Sequence, residues 1–188
     1  GDRNGDWVHE ASELRPNSRR GNRRCIAEQQ WMSLYEQYQL PIHIFRLAGI
    51  YGPGRSALDS IRAGTARRID KPGHAFSRIH IDDIVEILLA SMHNPAPGNI
   101  YNVADDHAAP SHEVIAYACD MLGIEPPPLL PYNEADMIPI VRSFYSDNKR
   151  IKNDKIKYDL GIKLHYPDYK SGLQACLETE KQSLENAS

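Results

Sequence analysis

Two short runs hold the residues best equipped for chemistry. The first is Arg46-Leu47-Ala48-Gly49-Ile50-Tyr51-Gly52-Pro53-Gly54-Arg55, and the second is Phe76-Ser77-Arg78-Ile79-His80-Ile81-Asp82-Asp83. Guanidinium groups, a phenol, an imidazole and permissive glycine backbone are the parts needed to hold an anionic ligand. Arg55, Arg78 and His80 are the candidate substrate contacts. A third group, Arg15, Arg19, Arg20, Arg23 and Arg24, gathers positive charge at the expected start of a helix, where a phosphate is favoured by side chains and backbone N–H groups together. Each feature also has a plainer reading. The arginines can form a solvated face, and Arg55 can lie on a surface. His80 suits a core or capping position better than a catalytic one. Asp82 and Asp83 are adjacent at a helix start, which suits capping and the helix dipole rather than paired acid–base work. Asp105, Asp106 and His107 follow a strand end and read as a loop.

The elements that must position these residues follow from periodicity. Residues 1–17 read as loop, with Trp7 and Val8 as anchors. Gly21 to Leu40 carries Ala27, Trp31, Leu34, Tyr35 and Tyr38 at helical spacing, and Pro41 ends the helix. Ile42, Ile44, Phe45 and Leu47 form an apolar run between that helix and the Tyr51-Gly52-Pro53-Gly54 turn, which predicts a buried parallel strand. A short helix over 56–64 follows. Ala66 to Ile69 and Ala75 to Ile79 flank Lys71-Pro72-Gly73 and predict a small hairpin. Asp82 or Asp83 is expected to cap a helix with Ile84, Ile87, Leu88 and Met92 on its apolar face. Ile100 to Val103 predicts a second core strand, and Pro110-Ser111 opens a helix stopped by Gly123. Glu125 to Tyr132 holds four prolines and must be extended or irregular. A short helix near Glu134 to Arg142 and helices over 153–160 and 169–184 complete the chain.

Composition narrows the function classes. The 188 residues are 41% hydrophobic and 25% charged, with a net charge of −3, which gives no general pull toward nucleic acid or an anionic membrane. No apolar run is long enough for a membrane span, and the polar first residues carry no signal-peptide pattern. Three cysteines, Cys25, Cys119 and Cys176, lack a CxxC pair; they read as reduced, buried thiols of a cytoplasmic protein. Eight histidines show no HxxxH or HExxH spacing, so no metal site is expected.

Two core strands cannot cover the apolar faces of the helices around them, because parallel strands need neighbours and cover on both sides. The chain is therefore expected to be part of a larger fold or to pair with another chain. The strand at 42–47 offers an exposed edge for dimerisation or strand pairing.

The order of motifs resembles the second half of the extended short-chain dehydrogenase/reductases, the NAD-dependent epimerase/dehydratase-like proteins. Their Tyr-Gly-x-Ser-Lys helix start corresponds to Arg20-Gly21-Asn22-Arg23-Arg24. Their Arg-x-x-Asn-x-Tyr-Gly-Pro turn corresponds to Arg46 to Pro53, and their Arg-x-Phe-x-His-Val-Asp-Asp segment to Arg78 to Asp83. Their Tyr-Asn-(Ile/Val) strand end corresponds to Tyr101-Asn102-Val103. The resemblance implies an α/β fold, the C-terminal part of a Rossmann-like parallel sheet with a small substrate-binding lobe, its N-terminal dinucleotide-binding half absent. Residues 1–55 and 80–122 would supply the Rossmann-type helices and strands, and 56–79 and 123–175 the lobe. It implies NAD or NADP as cofactor of the intact protein, with Arg24, Leu47, Gly49 and Tyr51 beside it, and a small anionic or nucleotide-sugar-like substrate. Tight cofactor binding by these residues alone is not expected.

Three departures qualify that implication. No G-x-G-x-x-G occurs; in the family it lies about a hundred residues upstream of the matching region. The family's Tyr and Lys positions hold Arg20 and Arg24, and an arginine cannot give up its proton near neutral pH. Gly49 replaces the motif's Asn. Two readings stay open: the substrate-binding portion of an NAD(P)-dependent epimerase, dehydratase or reductase, inactive alone, or a non-catalytic module that senses NAD(P) or a metabolite.

Overall fold

Branched and aromatic side chains between a helix and a glycine turn set the first of the longer strands, which is half-buried rather than buried as expected, because among the described residues it has one strand neighbour only and its last residue, Leu47, is exposed. The computed structural model describes residues 1–186, the side chain of Ile140 apart. In it β2 (Ile44–Leu47) runs parallel to β6 (Ile100–Val103), with Phe45 opposite Tyr101 and their rings stacked 5.7 Å apart. The chain continues past Ala48 into β3 (Gly49–Tyr51), which pairs in parallel with β5 (Arg78–His80). Gly49 lies opposite Arg78, and Tyr51 opposite His80. The two functional runs of the sequence are thus adjacent strands.

Two further parallel pairs were not expected. Trp7–Val8 (β1), read as loop, pairs with Arg150–Ile151 (β8), and the backbone of Arg3 and Gly5 bonds to the carbonyl of Asn148. Arg68–Asp70 (β4) pairs with Leu129–Pro131 (β7) rather than with its neighbour β5. The expected hairpin over 66–79 is therefore absent. Lys71 to His74 does turn, with Gly73 at φ 73° and the His74 N–H donating to Lys71 O at 3.0 Å. Beyond the turn, however, Phe76 bridges to Ala109, and β5 continues to β3. The four-proline segment is extended, as its composition requires, and that extension supplies β4 with a partner.

The helices are α1 (Arg19–Tyr38), α2 (Ala57–Arg62), α3 (Ile81–His93), α4 (Ser111–Met121), α5 (Pro139–Phe144), α6 (Asp154–Leu160) and α7 (Tyr169–Glu185). One core lies where α2, α4 and α7 meet β3, around Leu58, Ala118, Leu173 and Cys176. A second joins the sheet to α3 and α6 through Ile79, Ile87, Tyr101 and Ile156. A third holds Ile69, Met137 and Tyr145.

Capping of α3 corrects the expectation for the acidic pair. The extended backbone reaches His80, whose Nδ1 accepts from the Asp82 N–H at 3.2 Å. Asp83 turns inward instead and accepts from the N–H groups of His165 at 2.7 Å and Tyr166 at 3.2 Å. Its carboxylate is buried and ties α3 to the segment ahead of α7. Cys119 and Cys176 are buried, but Cys25 is only half-buried, because α1 buries no residue fully. Trp31 and Tyr38 on α1, and Val85, Leu89 and Met92 on α3, are exposed, as is Leu47 at the end of β2. Among the described residues, no helix is long and apolar enough to cross a membrane.

Candidate functional site

A cleft of about 530 Å³ opens beside the turn that follows β3. Its volume is that of a small-molecule site. Tyr51 ends β3 at its wall; Gly54 and Arg55 come from the turn; Ser56, Asp59 and Ser60 from the start of α2. Arg78 enters from β5, Ser111 and Val114 from α4, and Tyr169 and Leu173 from α7. Helix starts therefore converge on one volume.

The sequence explains each start. The turn closes with reciprocal bonds between Gly52 and Arg55, and Gly54 takes φ 75°, which favours glycine. Ser56 and Asp59 then form a capping box: the Asp59 carboxylate accepts from the Ser56 N–H at 2.7 Å and its hydroxyl at 2.6 Å. α4 begins after Pro110, and no side chain caps it. Its first N–H groups thus have no side-chain cap, and its first residue, Ser111, lines the cleft. Asp168 caps α7 by accepting from the Ser171 N–H at 2.8 Å, which presents Tyr169 to the cleft.

Arg78 is the charge at the centre of this arrangement. Its Nη1 donates to the carbonyls of Phe76 at 2.8 Å and Ala109 at 2.9 Å, so the guanidinium clamps the bridge just ahead of α4. Nε and Nη2 make no hydrogen bond among the described residues. Burial lowers the guanidinium's affinity for its proton, opposed by Asp105 and by Tyr51, Tyr169 and Tyr145. It stays charged, because an arginine titrates far above neutrality.

Asp105, just after β6, is buried behind Arg78. Its N–H donates to Arg78 O at 2.6 Å, and its Oδ1 accepts from the His107 N–H at 3.2 Å. Its Oδ2 is buried without a hydrogen-bond partner. Burial pushes its pKa up to about 7, against the pull of the His107 N–H and the Arg78 charge.

The other candidates lie elsewhere. His80 is 1% exposed and does not line the cleft. Its ring packs on Tyr51 at 5.2 Å and Tyr166 at 4.2 Å, and its Nε2 lies 3.7 Å from Cys176 Sγ. Burial lowers the His80 pKa and raises that of Cys176 to about 11. Both are neutral near pH 7, and this is a packed support behind Tyr51. The Tyr51 hydroxyl donates weakly to Asp168 O at 3.4 Å, and burial, with Asp105 next, pushes its pKa far up, so it does not exchange a proton near neutrality. Leu47 and Gly49 sit exposed at the end of β2 and the start of β3. Arg46 is held by Glu28, with Nε–Oε2 at 3.0 Å, and by Glu10 O at 2.9 Å. Arg20 and Arg24 join Arg19 and Arg23 around a separate exposed concavity of about 470 Å³. The structure thus brings Tyr51, Arg55 and Arg78 into one cleft and leaves His80 beneath it and the arginine cluster outside it.

Ser111, Tyr169 and Asp59 were not among the candidates. Their helix-start patterns, Pro110-Ser111 and Asp168-Tyr169-Lys170-Ser171, were visible, but their convergence was not. The assembled cleft offers two cations, hydroxyl donors and an apolar floor. That set can bind an anion attached to a less polar body; it holds no group in the cleft shown to be poised for proton transfer near neutral pH.

No family model matches the chain. Protein YeeZ of Escherichia coli K12 is 29% identical over 131 residues, which cover 68% of this chain and 42% of that protein. A functionally unknown conserved protein from Silicibacter pomeroyi superposes with a TM-score of 0.91 at 50% identity, over 95% of this chain and 62% of that one. The dTDP-glucose 4,6-dehydratase of Bacillus anthracis, in complex with NAD, superposes with a TM-score of 0.73 at 19% identity, over 94% of this chain and 56% of that one. The chain thus spans less than two thirds of the length of these proteins. The fold is α/β with parallel strand pairs, shared with Rossmann-like epimerase/dehydratase chains.

Proposed function

We propose that these residues form the C-terminal, substrate-binding portion of an NAD(P)-dependent enzyme of the epimerase/dehydratase kind. The substrate is a small molecule that carries an anionic group, of the nucleotide-sugar class. The carrying observation is the Arg78 guanidinium, which has free donors, sits beside the uncapped start of α4 and shares its cleft with Arg55. An anion there meets a fixed charge and helix N–H groups, while Val114, Ile115 and Leu173 supply apolar surface to the rest of the ligand. Structural likeness to an NAD-bound sugar-nucleotide dehydratase supports the class. NAD or NADP belongs to the intact protein, beside Arg24, Leu47, Gly49 and Tyr51. The exposed faces of α1 and α3 support a further body of protein packed there.

A second reading is favoured by Arg20 and Arg24. With arginine at the resembled Tyr and Lys positions, the family's usual proton relay has no donor, and the protein would bind NAD(P) or a metabolite without turning it over. Calorimetric titration of the full-length protein with dTDP-glucose tests the site; binding that is lost in Arg78→Met supports it, and equal binding by the variant overturns it. Nicotinamide absorbance at 340 nm, followed across sugar nucleotides, separates the two readings.

A further inference from the structure

Asp105 has no evident structural reason to be an acid. It is 3% exposed, one of its oxygens has no partner, and an alanine or asparagine there would avoid the burial of a charge. What it does have is a position next to Arg78, one of the two guanidinium groups that line the cleft, with its backbone N–H bonded to Arg78 O. Arg78 faces it from β5 through both side-chain charge and backbone, and Tyr51 from β3. On its own loop stand His107, whose N–H it accepts, and Asp106, which is itself neutralised by Lys157 of α6 at 2.5 Å. The Arg78 charge favours the ionised form of Asp105, against the burial that disfavours it.

An anion that enters the cleft changes this balance. It takes up the positive charge of Arg78 from the open side, and Asp105 is left with less of the charge that keeps it ionised. We propose that Asp105 is a positioning residue that takes up a proton when an anionic ligand binds Arg78, so that ligand and proton enter the site together. The proton goes from solvent to the unpartnered Oδ2, and no bond of the ligand is made or broken. This inference rests on the reading of the cleft as an anion site.

The sign follows from linkage. Burial pushes Asp105 up to about 7. Loss of a neighbouring positive charge raises a carboxyl by about one unit or more. Affinity is therefore full below pH 7 and falls as the pH rises above it, until the bound-state value is passed. A displacement of one unit gives affinity about 5-fold higher at pH 6 than at pH 8, with about half a proton taken up at pH 7.5.

The experiment is titration of the full chain with dTDP-glucose at pH 6, 7 and 8, each in two buffers of different ionisation enthalpy. The diphosphate of this probe keeps a constant charge over that range, so its own titration does not enter. The expected results are tighter binding at pH 6, proton uptake near pH 7.5, and loss of both effects in Asp105→Asn, whose affinity is the same at pH 6 and 8. His107→Gln should keep the wild-type pattern. Binding without pH dependence or proton uptake overturns the role of Asp105 while the anion site stands; this is read on the wild type, whether or not the asparagine variant folds. Pattern retained in Asp105→Asn, or lost in His107→Gln, overturns it also. Absence of binding at every pH overturns both the site and the coupling.

Discussion

Gly172→Ala should destabilise the protein although the same change usually strengthens a helix. Gly172 lies within α7, where alanine is favoured over glycine by about 1 kcal/mol. Here the added Cβ would lie 2.0 Å from the Tyr51 hydroxyl and 2.7 Å from its ring carbons. Tyr51 is 8% exposed and packs edge-on against His80, so its ring can yield only toward the cleft and at the expense of that contact. Overpacking of this kind costs about 1–3 kcal/mol. Displacement of the ring also gives up the aromatic contact, about 0.5–1.5 kcal/mol. Set against the helix gain, the net loss is about 2 kcal/mol. Urea denaturation followed by far-UV circular dichroism measures it, and dTDP-glucose binding should weaken in parallel, because Tyr51 forms the cleft wall. Tyr51→Leu should make the alanine tolerable, with a double-mutant cycle showing favourable coupling. An alanine variant as stable as wild type, with unchanged binding, would refute the packing of α7 on Tyr51.

Other outcomes follow from the same structure. Asp83→Ala removes a buried carboxylate that accepts from two part-buried N–H groups and should cost about 1–3 kcal/mol, read as a lower urea midpoint; an unchanged midpoint contradicts the inward turn of that carboxylate. Cys176, buried with its thiol pushed up to about 11, should resist Ellman's reagent at pH 8 in the native protein while half-buried Cys25 reacts; equal rates would contradict this. Asp105→Asn should stabilise the protein at pH 8: the folded pKa lies above the unfolded value, so the penalty on the carboxylate builds from about pH 4 to pH 7 and persists above. Stability curves of the two proteins should converge near pH 4, and a gain that is greatest in acid would refute the assignment. Residues 1–188 alone should self-associate through the exposed apolar faces of α1 and α3 and the edge of β2; a clean monomer by light scattering with a cooperative melt is the contrary result.

The sequence made the two core strands and most helices legible because their signals are local: an apolar run, a 3.6-residue period, a glycine stop. Strand partners are not local. Ala66 to Ile79 has turn chemistry in its middle and apolar residues on both sides, which is what a hairpin shows. Its first strand pairs instead with Leu130's segment some sixty positions later, and its second returns to Tyr51. The cap of α3 was misread for a related reason. Asp82 and Asp83 are better capping residues than histidine by propensity, yet the N–H groups of His165 and Tyr166, invisible at that distance in sequence, draw Asp83 inward.

The same distinction separates the legible part of the site from the rest. Tyr51, Arg55 and Arg78 stand out in the sequence, and share one cleft in the structure, because a turn and a strand end concentrate polar and charged side chains in short runs. Ser111 and Tyr169 reach the cleft only through the packing of α4 and α7 on α2, and Asp105 acquires its chemistry from burial, which no residue type announces. The apolar positions of α1 and α3 present the converse case. Trp31 on α1 and Leu88 and Met92 on α3 read as parts of faces to be covered, and they are exposed, while Ile84 and Ile87 of the same α3 face are buried. A similar protein at 50% identity is longer, with this chain spanning 62% of it. A pattern of apolar residues left exposed on a helix face is what a face packed against another body, from the same chain or a different one, would carry. That argument needs only that Trp31 recurs at helical spacing with Leu34, Tyr35 and Tyr38 on α1, and Met92 with Leu88 on α3, where solvent alone would favour charge.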